Sequence, residues 1–122
     1  MFQVVSVWKV KRESNNQDDW KLIGKKSPQS PQSFYTMEDK NMVLLKGDRV
    51  ALRCTMLNMG SREVKQGLAS YNEMCDMYLV YAVHGNYTNL LQGNTVCTNS
   101  GPPSSWTSLG FNNIPETRAS SL

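Results

Sequence analysis

The sequence predicts an antiparallel all-β chain, most simply a β-sandwich. Three observations carry this. Val4 to Val10 is dense in the β-branched and aromatic residues that suit a pleated surface. Arg49 to Met56 alternates with a period of two. Met74 to Val83 does the same. Breaks rich in Gly, Pro, Asn and Asp separate these runs.

Element by element, Val4 to Val10 is the first strand. The polar stretch Glu13 to Asp19, with Asn15-Asn16, is a loop or hairpin turn. Trp20 to Ile23 returns as a short strand closed by Gly24, so that Trp8 and Trp20 can meet as structural packing. Ser27-Pro28-Gln29-Ser30-Pro31-Gln32 lacks two backbone donors and reads as an extended connection into Phe34-Tyr35. Asn41 to Leu45 is a strand candidate ended by Lys46-Gly47-Asp48. In the strand from Arg49, the apolar face is Val50, Leu52, Cys54 and Met56, and this face is expected in the core. Asn58 to Gly67 is a loop with room for one helical turn at Arg62 to Gln66. Met74 to Val83 divides into Cys75, Met77, Leu79, Tyr81 and Val83 on one face and Met74, Asp76, Tyr78, Val80 and Ala82 on the other. Two inward cysteines in one core permit a bridge, worth roughly 3 kcal/mol for a loop of about 20 residues. Asn94 to Thr98 is a last strand candidate, and residues 101–122 read as an irregular tail.

Composition excludes several function classes. A chain of 122 residues with 39% hydrophobic and 19% charged residues is globular in character. A charge of +3 is too mild to imply nucleic acid, and Lys9 and Lys11 read as a solvated strand edge. No apolar run approaches the ~20 residues of a membrane helix. The start, Met1-Phe2-Gln3-Val4, is not a secretory signal. Three cysteines, Cys54, Cys75 and Cys97, with the sequon at Asn86, nevertheless tilt toward an oxidising compartment, which puts the true N-terminus elsewhere.

Familiar catalytic sets are missing. The single histidine, His84, cannot build an imidazole zinc site and reads as a surface residue. Glu13, Asp18 and Asp19 read as solubilising, and there is no glycine-rich phosphate loop. Met74 reads as a core filler. As a ligand, a thioether is soft and selects Cu(I), but one thioether cannot hold copper alone.

Four ordered stretches carry a resemblance. Asn72-Glu73-Met74-Cys75-Asp76-Met77-Tyr78-Leu79-Val80-Tyr81 resembles the second-domain signature of the type II copper, ascorbate-dependent monooxygenases. Val4-Val5-Ser6 and Gly47-Asp48-Arg49-Val50-Ala51-Leu52-Arg53-Cys54 resemble two further family segments. Trp20 to Tyr35, with Ser-Pro-Gln-Ser-Pro-Gln-Ser-Phe-Tyr, is similar to the peptidylglycine α-hydroxylating branch.

The resemblance implies a jelly-roll-like sandwich, incomplete at its N-terminal edge, with residues 1–100 as part of the C-terminal copper domain and 101–122 as the tail. It implies copper, ascorbate as reductant and O2 as co-substrate. The reaction hydroxylates the α-carbon of a C-terminal glycine in a peptide; a lyase step then gives the amide. Met74 matches the methionine ligand of the oxygen-activating copper, and Tyr78 a substrate-binding tyrosine. Asp76 stands near the substrate where the branch has Asn, and Asn72 stands where Asp is usual. Cys54 and Cys75 match a disulfide, while Cys97 is left unpaired because its family partner lies in the N-terminal part that this chain lacks. The His-Thr-His copper ligands, the arginine for the peptide carboxylate and the first copper domain are likewise expected upstream. No catalytic residue falls within these 122 residues, so the expectation is a fragment inactive alone, weak in copper binding and left with an exposed edge. A location in the secretory pathway or outside the cell follows, with Asn86 as a glycosylation site. The alternatives are a non-catalytic β-sandwich binding module derived from the family, and an amine β-hydroxylating relative.

Overall fold

The computed structural model describes residues 2–86, 104–116 and 118. Three strands, β1 (Phe2–Arg12), β2 (Asp18–Lys26) and β3 (Arg49–Leu57), form one open antiparallel sheet in the order β2-β1-β3. A short helix, α1 (Ser104–Ser108), follows. The chain is therefore all-β, with one sheet among the described residues, as expected of part of a sandwich.

The β1–β2 hairpin closes through Glu13 to Gln17. The Glu13 N–H donates to the Gln17 carbonyl at 2.8 Å, and Asn16 takes a left-handed conformation (φ 62) that a short polar side chain tolerates. Arg12 pairs with Asp18, Val10 with Trp20 and Trp8 with Leu22; the register then shifts, and Val7 pairs with Gly24. Ile23 is the extra residue of this bulge and is buried. On the other side of β1, Trp8 faces Ala51 and Val10 faces Arg49. β1 is thus the central strand, so Lys9 and Lys11 do not guard an edge; Lys9 pairs with Asp48 at 3.1 Å.

The core sits on the face opposite to the one expected. Ala51 and Arg53 are only 4% and 8% exposed, whereas Val50 and Met56 are 44% and 42% exposed. The cause is the aromatic cover. Trp8, Val10 and Ala51 form the core cluster, with Trp20, Leu22, Trp106 and Phe111 packed on it. Trp8 and Trp20 do meet, edge to face, with centroids 6.1 Å apart, and Trp20 stacks on Trp106 at 5.3 Å. Arg53 lies over Trp106 and Arg49 over Phe111, at 4.9 Å and 3.8 Å from the ring centroids. Guanidinium groups over aromatic rings let Arg49 and Arg53 line a core that hydrophobic patterning assigns to the other side.

Residues 104–116, within the stretch expected as an irregular tail, carry a helix and dock on the sheet. α1 ends in a Schellman motif: the Phe111 N–H donates to the Trp106 carbonyl and the Gly110 N–H to the Thr107 carbonyl, both at 3.0 Å, with Gly110 at φ 81. Phe111 packs against Trp106 in the hydrophobic contact that accompanies this motif. Five residues cannot sustain a helix alone; tertiary packing holds this one.

Three other local expectations fail. Residues 41–45 form no strand, because the Met42 and Leu45 N–H groups are spent on Asp39 and Asp48 in turns and the Val43 carbonyl accepts from Lys9. Residues 62–66 form no helical turn; Gln66 instead bridges to Glu73. The connection at Ser27 to Ser30 is a turn, not extended, with the Ser30 N–H on the Ser27 carbonyl at 3.0 Å. No helix among the described residues is long and apolar enough to cross a membrane.

Candidate functional site

The segment that carries Met74 is positioned by a covalent bond rather than by a ladder. Residues 74–83 form no strand, although their alternation predicts one. A period of two produces a strand only where a neighbouring chain offers hydrogen bonds, and among the described residues none pairs with this stretch. Cys75 is disulfide-bonded to Cys54 of β3, with Cα atoms 5.8 Å apart. Cys54 lies on the sheet face opposite the aromatic cluster and is half-buried, while Cys75 is exposed, so neither reaches deep into the core.

Met74 is 47% exposed and Tyr78 81% exposed, and Asp76 is also exposed. Among the described residues these three candidates share one solvent-facing stretch. A shallow polar hollow over β1 and β2 is lined by Lys9, Lys11, Glu13, Asp19 and Lys21, and none of the three borders it. His84 and Asn86 are exposed. Cys97, the Asn94–Thr98 strand candidate and the remainder of the sequon, Tyr87-Thr88, lie outside the described residues.

The donor set decides what this stretch can hold. Cu(I) is retained by several soft or imidazole donors acting together. Here one exposed thioether is available, and among the described residues no three His, Cys, Asp or Glu side chains gather into a cluster that could ligate a metal. The disulfide removes both sulfurs of Cys54 and Cys75 from ligation. The described residues alone therefore do not fit a copper ion.

Electrostatics concentrate elsewhere. Asp18, expected as a solubilising turn residue, is buried and accepts from Arg12 Nε at 2.6 Å, from Arg49 at 2.8 Å and from the Asn112 N–H at 2.9 Å. Burial pushes its carboxyl up, but the hydrogen bonds from Arg12, the Asn112 amide and Arg49 outweigh that and hold it below the usual carboxylate range. Asp48 is likewise held low against burial by the Leu45 N–H and Lys9. Burial lowers the Arg53 guanidinium from its ordinary value. This network fastens the C-terminal segment: Trp20 Nε1 donates to the Asn112 carbonyl at 2.9 Å, Arg53 donates to the Pro115 carbonyl at 2.8 Å, and Arg12 donates to the Gly110 carbonyl. The sequence holds a signal for the Arg12–Asp18 pair, since the two flank a five-residue hairpin loop and so face each other across it.

Comparison with known proteins places this geometry. Residues 1–109 match the family model described as copper type II ascorbate-dependent monooxygenase, C-terminal domain. Peptidyl-glycine alpha-amidating monooxygenase A of Xenopus laevis is 33% identical over 115 residues, covering 93% of this chain and 11% of that protein. Peptidylglycine alpha-amidating monooxygenase of Rattus norvegicus is 38% identical over 86 residues, 70% of this chain and 8% of that protein. The Mus musculus peptidyl-glycine alpha-amidating monooxygenase is 35% identical over 115 residues, 93% of this chain and 10% of that protein. The chain thus spans about a tenth of the length of these curated relatives. No solved structure matches it significantly.

Proposed function

The chain belongs to the copper type II ascorbate-dependent monooxygenase family, through its C-terminal domain, and on that premise we propose that it is part of an enzyme hydroxylating the α-carbon of a C-terminal glycine in peptides. The observation that carries this reading is the match over residues 1–109, together with three relatives whose names give peptidylglycine amidation.

Met74 is proposed as the soft thioether donor of a copper set whose imidazoles the family resemblance puts upstream of Val4. When bound, copper supplies the oxygen activation, with ascorbate as electron source. The chain's own part is to bind and orient. Tyr78 offers a phenol that can donate to the peptide. Asp76 puts a carboxylate on the same stretch, and it repels the carboxylate of a glycine-terminated peptide. Residues 1–100 are proposed as the domain unit, with 104–116 docked on it. A location in the secretory pathway accompanies this reading, and Asn86 is proposed as a glycosylated residue; expression in a secretory host should add glycosidase-sensitive mass that N86Q removes.

The test is a chimera in which this chain replaces the matching segment of the Xenopus relative. Copper, ascorbate and a glycine-terminated peptide should give hydroxylation that M74A abolishes, and D76N should lower KM for the peptide. A folded chimera without turnover would instead favour a non-catalytic binding module.

A further inference from the structure

Residues 58–83 hold to the rest of the molecule in an unusual way. Their hydrogen bonds are internal: Asn58 donates to the Arg62 carbonyl at 2.7 Å, Arg62 to the Tyr71 carbonyl at 3.1 Å, the Glu73 N–H to the Lys65 carbonyl at 3.0 Å, and the Gly67 N–H to the Glu73 carbonyl at 3.2 Å. Large apolar side chains at Leu68, Tyr71, Tyr78 and Val80 face solvent rather than the core. Among the described residues the Cys54–Cys75 disulfide is the covalent link from this segment to the sheet beyond the chain's own continuity at Leu57, and Cys75 is exposed to a reagent.

We propose that the Cys54–Cys75 disulfide is a redox-sensitive tether that sets the position of the Met74 to Tyr78 stretch, and that dithiol reduction frees this stretch while the sheet stays folded. The step is thiol–disulfide exchange. A thiolate of the dithiol attacks one cysteine sulfur and releases the other as a thiolate. The second thiol then displaces the mixed disulfide, leaving two cysteine thiols and an oxidised, cyclised dithiol. As control over the proposed copper ligand, the tether rests on the reading of Met74 given above. As a mechanical device it does not.

The sheet has its own means of staying folded. Its ladders, the four-ring aromatic cluster and the Asp18 network all lie on β1, β2, β3 and residues 104–116. The experiment is backbone NMR relaxation on the full chain, oxidised and after treatment with dithiothreitol, with the C54A/C75A variant alongside. Order parameters over residues 68–83 should fall below about 0.6 on reduction and in the variant, while those of β1 to β3 stay near about 0.85. The tether is overturned if residues 68–83 keep their order after reduction, if they are already disordered when oxidised, or if the sheet resonances collapse with them. M74A should leave this pattern unchanged. Loss of copper in the M74A chimera with no effect of reduction here would retain the ligand and discard the tether, and the converse pair of results would do the opposite.

Discussion

Asp18 and Asn112, 94 residues apart in sequence, hold each other through two reciprocal hydrogen bonds. The Asp18 N–H donates to Asn112 Oδ1 at 2.7 Å, and the Asn112 N–H donates to Asp18 Oδ2 at 2.9 Å. Arg12 and Arg49 close on the same carboxylate from β1 and β3. One buried acid thus joins all three strands to the segment after α1.

Removing that acid leaves two guanidinium groups without their shared partner. D18A should destabilise the chain by about 3 kcal/mol, the low end for a broken buried pair because both arginines keep some contact with water. Thermal unfolding followed by near-UV circular dichroism should show Tm lowered by more than about 10 °C. A shift under about 2 °C would mean the network carries little.

Two paired carboxyls, Asp18 in this network and Asp48 beside Lys9, set an acid limit. Asp18 and Asp48 are held below the usual carboxylate range in the folded chain. Stability from a depressed carboxyl is fully present above its unfolded pKa and is lost as pH falls through the folded value. Stability should therefore be level from pH 7 to about 5 and decline below about 4. Guanidinium midpoints measured against pH check this, and D18N should flatten the decline.

All three tryptophans, Trp8, Trp20 and Trp106, belong to one cluster. F111A should cost about 2–3 kcal/mol, below the usual range for a deep phenylalanine because Phe111 is half-buried. W106A should remove the stacked partner of Trp20 and the exciton signal of the pair in circular dichroism. Both variants should red-shift the emission of the remaining indoles; unchanged emission would show that residues 104–116 do not cover the sheet in solution.

Copper binding by this chain alone should be weak. Scattered thioethers without an imidazole set beside them give a Cu(I) dissociation constant weaker than about 1 μM in competition with a chromophoric chelator. M74A should change it by less than about threefold. Tight one-to-one binding that disappears in M74A would show that this chain assembles more of the ligand set than its described residues do.

The strands were legible where sequence and neighbours agree. Val4 to Val10 and Arg49 to Met56 have β composition and also find partners, so both are strands. Met74 to Val83 has the same alternation but no partner among the described residues, and alternation states a capacity to pair, not the pairing itself. The buried face of β3 was misread because hydrophobicity ranks Val50 above Arg53, whereas two indoles beneath the guanidinium reverse the order. The docked segment was hidden by its Ser, Gly and Asn content. Gly110, three residues after a helical Thr107 and followed by an aromatic, was its one local sign. Of the candidate site, the residue types of Met74, Asp76 and Tyr78 were legible, but their exposure depends on neighbours that a linear pattern does not contain.

The order β2-β1-β3 makes the two flanks of the sheet chemically unlike. β2 bears Lys21, Lys25 and Lys26, a run of like charge that discourages a second molecule from adding on that side. β3 carries no lysine and ends in Thr55, Met56 and Leu57, with both of the last two exposed. Self-association of the purified chain should therefore begin along β3, rise steeply with concentration, and be suppressed by a lysine placed at Met56.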